Sequence, residues 1–231
     1  DPPDYVAFRE AAINLLVHQD YGDHGRKASI KLFTDQTIFW NPGDAFSTEA
    51  ELLDPTEKEV RNPSIIKAFR RIGLSDQAGT GIRSIYRNWH ELGRMPPQIR
   101  NDKARKQFEL VLFNKLLITE RTLQFQRSLG VTLSAEQAEV LALAVEQKRI
   151  TLTDIRGLVG GTYREAKAAA DYLVQQQLLE MLDDTLFELP DDLKNRYEKL
   201  SSVETLAGST TPEVTPKVTS GGIKLGPSWD Q

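Results

Sequence analysis

Glu10, Asn14 and His18 recur at four-residue intervals within the run from Phe8 to Tyr21. That spacing stacks side chains on one helix face, here as a polar stripe of carboxylate, amide and imidazole. An amide oxygen can ligate Mg²⁺, and a carboxylate one turn before it can orient a water towards a phosphate. The E-x-x-x-N spacing is common in helices by chance, so its weight comes from companions downstream. Chief among these is Gln77-Ala-Gly-Thr-Gly-Ile82, which runs into the helical pattern Ile82, Ile85, Tyr86 and Trp89. Gly79, Thr80 and Gly81 at a helix start offer free amides and the positive end of the dipole, a cradle for phosphate.

These residues need elements to hold them. Ile13, Leu16 and Val17 form an apolar arc beside the polar stripe, which is expected to face a sheet. Ala28–Phe33 and Thr37–Trp40 alternate as two strands joined by a short turn. The second strand runs into Asn41-Pro42-Gly43, a breaker that brings backbone close to whatever lies beside it, or simply a turn. Arg61-Asn62-Pro63 reads as a helix start, with Asn62 as N-cap and Pro63 in the first helical position. Arg61 ahead of that helix could reach a phosphate or an acidic partner, and His18 could equally be a packing residue at a helix end.

The order E-x-x-x-N, His18-Gln-Asp-Tyr21, N-P-G, R-N-P and G-T-G-I, spread over roughly residues 5–115, resembles a known family. It is similar to the ATPase-like domain of RecG-related, Schlafen-linked bacterial transcriptional regulators, and through it to the GHKL ATPases: gyrase, MutL and histidine kinases. The resemblance implies an α+β chain with a GHKL-like two-layer α/β sandwich over residues 1–116. It implies ATP and Mg²⁺ as cofactors, with Glu10 as general base and Asn14 as the Mg²⁺ ligand. His18 would lie on the cofactor side. Asn41 and Gly43 would stand in the adenine-recognition loop, and Gly79, Thr80 and Gly81 would hold phosphates. Several positions depart from the family pattern. Asn41 replaces an aspartate and, being neutral, accepts a weaker hydrogen bond. The usual H-R-D reads His18-Gln19-Asp20, and Gly43-Asp44-Ala45 lacks a second glycine. Little chain separates Asn41 from Gly79 to make a lid. Binding survives such changes more readily than hydrolysis, so the expected activity is at most a weak ATPase. In the family an AlbA-like domain precedes this point, and the abrupt start at Asp1-Pro-Pro-Asp4 reads as a fragment.

A second unit comes next. Phe108–Phe113 reads as a closing strand, and residues 117–133 as a linker with a helix from Leu117 to Ser128. Ser134-Ala-Glu-Gln137 has the capping-box form and opens a helix to about Gln147. A short helix begins at Thr151 and breaks at Gly160-Gly161, and a third runs from Thr162 to about Gln177. A hairpin of Leu178–Leu182 and Thr185–Leu189 closes around Asp183-Asp184. That order predicts a winged helix-turn-helix over residues 134–190, a module that recurs at this place in the family. Tyr163, Arg164 and Lys167, at the start of the third helix, are its candidates for reading DNA. The unit holds five basic and ten acidic residues, a net of −5, which is a poor start for contacts dominated by phosphate. Contact with a protein partner or a second copy therefore stands beside contact with DNA.

Residues 191–231 read as a flexible tail, rich in Ser, Thr, Pro and Gly from Ser201 onwards. Val214, Val218, Ile223, Leu225 and Trp229 punctuate it, and suggest an extended segment lying on its own or a partner's surface. With 39% hydrophobic residues and a net charge of −4, the 231-residue chain can form ordinary cores. No cysteine is present, which excludes disulfides and thiolate metal sites, and no apolar run approaches a membrane span. A cytoplasmic protein is the expectation. Three functions fit: a nucleotide-responsive regulator with a winged helix, an ATPase working on DNA, and a degenerate ATPase fold serving as an assembly or dimerisation scaffold. A helicase motor does not fit, because the chain has no G-x-x-x-x-G-K-[ST] loop and no paired motor domains.

Overall fold

The computed structural model describes residues 1–54, 60–74 and 81–207, with side chains described as far as residue 200. The chain is a mixed α+β protein whose strands all pair antiparallel. Helix α1 (Pro3–His18) leads into β1 (Ser29–Leu32) and β2 (Gln36–Pro42). The short helix α2 (Glu49–Leu52), α3 (Pro63–Arg71) and α4 (Gly81–Glu91) precede β3 (Gln98–Asp102) and β4 (Gln107–Phe113). The four strands form one sheet in the order β1-β2-β4-β3. Strand alternation turns Phe39, Leu110, Leu112 and Ile99 to one face, where they meet Ala7, Ala11 and Leu15 of α1 and Ile85 and Trp89 of α4. The Trp89 indole Nε1 donates to the Phe113 carbonyl at 2.9 Å, pinning α4 to the end of β4.

The apolar arc of α1 differs from the expected one. Ile13 and Val17 are buried, but Leu16 is 39% exposed, and the face against the sheet is Ala7, Ala11 and Leu15. Small side chains let the helix backbone approach the sheet closely, and this packing preference outweighs the larger apolar surface of Leu16. Asn62 also differs. It precedes Pro63 as anticipated, yet its side chain makes no cap hydrogen bond. Its Nδ2 donates instead to the carbonyls of Val17 and Gln19, both at 2.8 Å, fastening the end of α1 to the start of α3.

After α5 (Glu120–Ser128) come α6 (Ala135–Gln147), β5 (Arg149–Thr151), α7 (Leu152–Val159) and α8 (Tyr163–Gln175). Strands β6 (Glu180–Met181) and β7 (Leu186–Glu188) complete a three-stranded sheet in the order β5-β7-β6. Ser134, Thr151 and Thr162 each form a reciprocal capping box at the start of their helices. Gly160, at φ 66°, ends α7 in the left-handed conformation that glycine adopts without strain. The core of this unit centres on Leu141, Leu143, Ile150, Ile155, Leu173 and Phe187.

The segment from residue 191 does not begin as a flexible tail. Asp191–Ala207 form helix α9, 17 residues long. Leu193 and Tyr197 are buried, and the Tyr197 ring meets Phe125 of α5 edge-on at 5.3 Å beneath the Arg121 guanidinium. Lys194 bridges Glu188 at 2.6 Å and Asp191 at 2.9 Å. This apolar anchorage offsets the ordering entropy that composition alone would leave unmet. The expected extended docking of Val214 to Trp229 lies outside the described residues. Among the described residues no helix is long and apolar enough to cross a membrane.

The two packed units touch at α4. A Cβ built on Gly157 of α7 would sit 2.6 Å from Tyr86 Cε1, so the helix backbone rests directly on that ring. Burial, followed by the nearby Asp154 and Glu49 carboxylates, raises the Tyr86 pKa and keeps the phenol protonated. Arg156 of α7 reaches across to the Asp54 carboxylate, and His90 of α4 lies 3.1 Å from Glu139 of α6.

Candidate nucleotide site

The polar stripe of α1 is engaged along its length by two different parts of the chain. At its upstream end, Gly81 opens α4 beside Glu10 and Asn14. A Cβ at Gly81 would lie 3.1 Å from Asn14 Nδ2 and 3.3 Å from Glu10 Oε2, so a side chain there would press on the pair and glycine lets the α4 backbone come close to it. The carboxylate of Glu10 thus stands near the positive end of the α4 dipole. Asn14 Nδ2 is buried and, among the described residues, has no hydrogen-bond partner. A buried amide N–H without a protein partner is costly, and a water, an ion or a ligand can complete its bonding. Because the O and N atoms of an amide exchange on a flip, the same position can present a carbonyl oxygen to a cation.

At the downstream end, His18, Gly43 and Arg61 converge. Gly43 has φ 98°, and a Cβ there would meet the Asp20 backbone N at 3.0 Å and Arg61 Nε at 3.1 Å. Both the backbone conformation and the space require glycine. Arg61 donates to the Asp44 carbonyl at 2.8 Å and lies 4.7 Å from the centroid of the Phe46 ring, while its Nε is buried and has no hydrogen-bond partner among the described residues. Burial first, and the Arg61 charge second, lower the His18 pKa from 6.5 to about 4. His18 is therefore neutral at physiological pH, and Arg61 is the cation of this end of the stripe. Glu10 and His18 are separated by eight helical residues, about 12 Å along the axis.

Asn41 ends β2 and is only 2% exposed. Its Nδ2 donates to the carbonyls of Pro42 at 3.1 Å and Gly43 at 3.2 Å, bonds that an aspartate could not make. The amide therefore holds its own loop and keeps its Oδ1 as an acceptor. Gly79 and Thr80 lie outside the described residues. Tyr163, Arg164 and Lys167 open α8 in the other unit, apart from this stripe. Tyr163 is 54% exposed, whereas Lys167 is bound to Asp171 at 2.5 Å and lies over the Phe187 ring.

Sequence patterns pick out Asn62 as a helix cap and Tyr86 as part of a helical run, but not that Asn62 fastens the end of α1 or that Tyr86 with Gly157 joins the units. Their signals are tertiary contacts, which no short motif encodes. Among the described residues no group of three or more His, Cys, Asp or Glu side chains could hold a metal ion. A Mg²⁺ at Asn14 would thus take most of its ligands from phosphate and water, the usual habit of that ion at nucleotide sites.

Residues 25–112 match the family described as "Putative ATP-dependent DNA helicase recG C-terminal". The matched stretch contains Asn41, Gly43, Gly79, Thr80 and Gly81, while Glu10, Asn14 and His18 precede it. No curated protein matches the chain. Among solved structures, the DIP2311 protein from Corynebacterium diphtheriae is similar at 21% identity and a TM-score of 0.45. The match covers 82% of this chain and 41% of that one, so the chain spans about two fifths of its length.

Proposed function

We propose, from the premise that residues 25–112 are an ATPase-like domain related to the RecG C-terminus, that the chain binds a nucleoside triphosphate between α1 and α4 and relays its presence to the second unit. The observation that carries the reading is the convergence of Glu10, Asn14 and Gly81, with the buried Asn14 Nδ2 at its centre lacking a partner among the described residues. Phosphates would meet the start of α4, where Gly81 allows the closest backbone approach. Bound Mg²⁺ would neutralise phosphate charge, held on the protein side by the Asn14 amide oxygen. Glu10 would orient a water, and Asn41 Oδ1 and Gly43 would line the base end beside Arg61. The altered adenine loop favours binding over turnover.

The order helix, strand, helix, helix, hairpin over residues 134–190 supports a winged helix for the second unit. Since α4 begins at the phosphate end and carries Tyr86 onto Gly157, a shift of α4 on binding would move α7. The role this favours is a cytoplasmic regulator acting on transcription or a related DNA process, as the family resemblance implies. The net charge of −5 favours a protein partner or second copy for the winged helix, with DNA contact through Tyr163 and Arg164 as the second reading.

Hydrogen exchange with and without Mg²⁺ and a non-hydrolysable ATP analogue tests both parts. Slower exchange in α1, in α4 and also in α7 supports the proposal. Protection confined to α1 and α4 would refute the relay, and an unchanged map would refute the site itself.

A further inference from the structure

The face of the sheet turned away from α1 and α4 carries a second constellation, unrelated to the nucleotide site. Lys27, Ser29, Lys31, Ile38, Trp40 and Glu109 line a shallow depression of about 430 Å³ there. The register places Ser29 opposite Trp40 and Lys31 opposite Ile38, with Glu109 on the far side of Trp40. Ser29 and Lys31 thus share this face one strand step of about 6.6 Å apart, and Lys27, just ahead of β1, lines the same depression. Lys27 and Lys31 are exposed, and neither is in an ion pair among the described residues. The carboxylate in the depression, Glu109, is bound by Arg100 at 2.9 Å. Over the Trp40 ring the Arg26 guanidinium lies 6.0 Å from its centroid, pinned by Asp23 at 2.7 Å and by the Arg105 carbonyl at 2.9 Å, and so adds a third cation to this face.

We infer that this face binds a single-stranded nucleic acid, with a base stacked on Trp40 and backbone phosphates on Lys27 and Lys31. A half-buried tryptophan that lines an open depression on a sheet, among cationic neighbours, is the arrangement that takes up unpaired bases without reading their sequence. The two lysines, lacking acidic partners among the described residues, give the charge complementarity for a polyanion, and Ser29 adds a hydroxyl donor between them. A duplex hides the base faces that Trp40 requires, and the shallow, flat depression offers nothing to enter a groove. An acidic peptide could satisfy the lysines but would add no stacking partner to the ring beyond Arg26.

The test is fluorescence anisotropy of the full chain with labelled oligothymidylate and oligouridylate, without ATP, over a range of salt. A duplex of equal length and polyglutamate serve as competitors. The double variant Lys27→Glu with Lys31→Glu should weaken binding at least roughly tenfold and flatten the log–log salt slope by about 1.4, as expected for two lost phosphate contacts on a single strand. Trp40→Leu should weaken it roughly 5- to 100-fold with the salt slope unchanged, and Trp40→Phe should recover most of the loss. Binding of either oligonucleotide with this split supports the proposal. Equal competition by polyglutamate or duplex, indifference to Trp40→Leu, or no binding at low salt would overturn it.

Discussion

His18 provides a stability test of the site that needs no ligand. Its imidazole is held neutral by burial and, secondarily, by the Arg61 charge, with its pKa lowered from 6.5 to about 4. The folded chain thus resists a proton that the unfolded chain accepts below about pH 6.5. Stability from this residue is intact above that pH, falls as pH drops through the window from 6.5 to about 4, and levels off below it. At about 1.36 kcal/mol per pKa unit, the full window is worth roughly 3 kcal/mol. Between about pH 7 and about pH 4.5 the loss is roughly 2.4 kcal/mol. Carboxylates titrate in part of the same range, so the assay compares urea unfolding of the wild type and His18→Gln at each pH. Their difference cancels the shared carboxylate contribution. The wild type should lose roughly 2 kcal/mol more than the variant over that interval. A stability gap that stays constant from neutral to acidic pH would refute the burial of His18 against Arg61.

Further consequences rest on single contacts. Gly43→Ala must place a side chain at φ 98° against Asp20 and Arg61, and should destabilise by about 2 kcal/mol or more in denaturant unfolding. Tyr197→Ala removes the ring between Phe125 and Arg121, so α9 should detach and the thermal midpoint should fall by the equivalent of about 3 kcal/mol. Asn62→Ala strips two hydrogen bonds from the end of α1 and should cost about 1–2 kcal/mol, measurable in the same unfolding assay.

Legibility in the sequence depended on the range of each signal. The capping boxes at Ser134 and Thr162 are local, so the helices they open lie where the sequence places them. The breaker Asn41-Pro42-Gly43 likewise marks the end of β2, because proline and glycine punctuate a strand locally and glycine admits the positive φ that follows it. Strand β3, Gln98–Asp102, carries little apolar alternation and exists because β4 beside it supplies the pairing. Helix α9 is obscured by the Ser-, Thr-, Pro- and Gly-rich stretch that begins within it at Ser201. Its anchors Leu193 and Tyr197 lie four apart, a helical spacing that averaging over residues 191–231 hides. In the site, the stripe of Glu10, Asn14 and His18 is visible as a spacing, but its meeting with Gly81 depends on α1 packing against α4. Ala7 and Ala11 permit that approach, and alanines carry no functional signal in a sequence.

Asn14 is the residue on which the proposed nucleotide site turns. Its buried Nδ2 makes no bond among the described residues, so Asn14→Ala should change folding stability by no more than about 0.5 kcal/mol. Isothermal titration with Mg²⁺ and a non-hydrolysable ATP analogue, run on the wild type and Asn14→Ala, tests this directly. The expected result is saturable binding by the wild type and none by an equally stable variant. Identical heats from the two proteins, or no binding by the wild type at millimolar ligand, would contradict it.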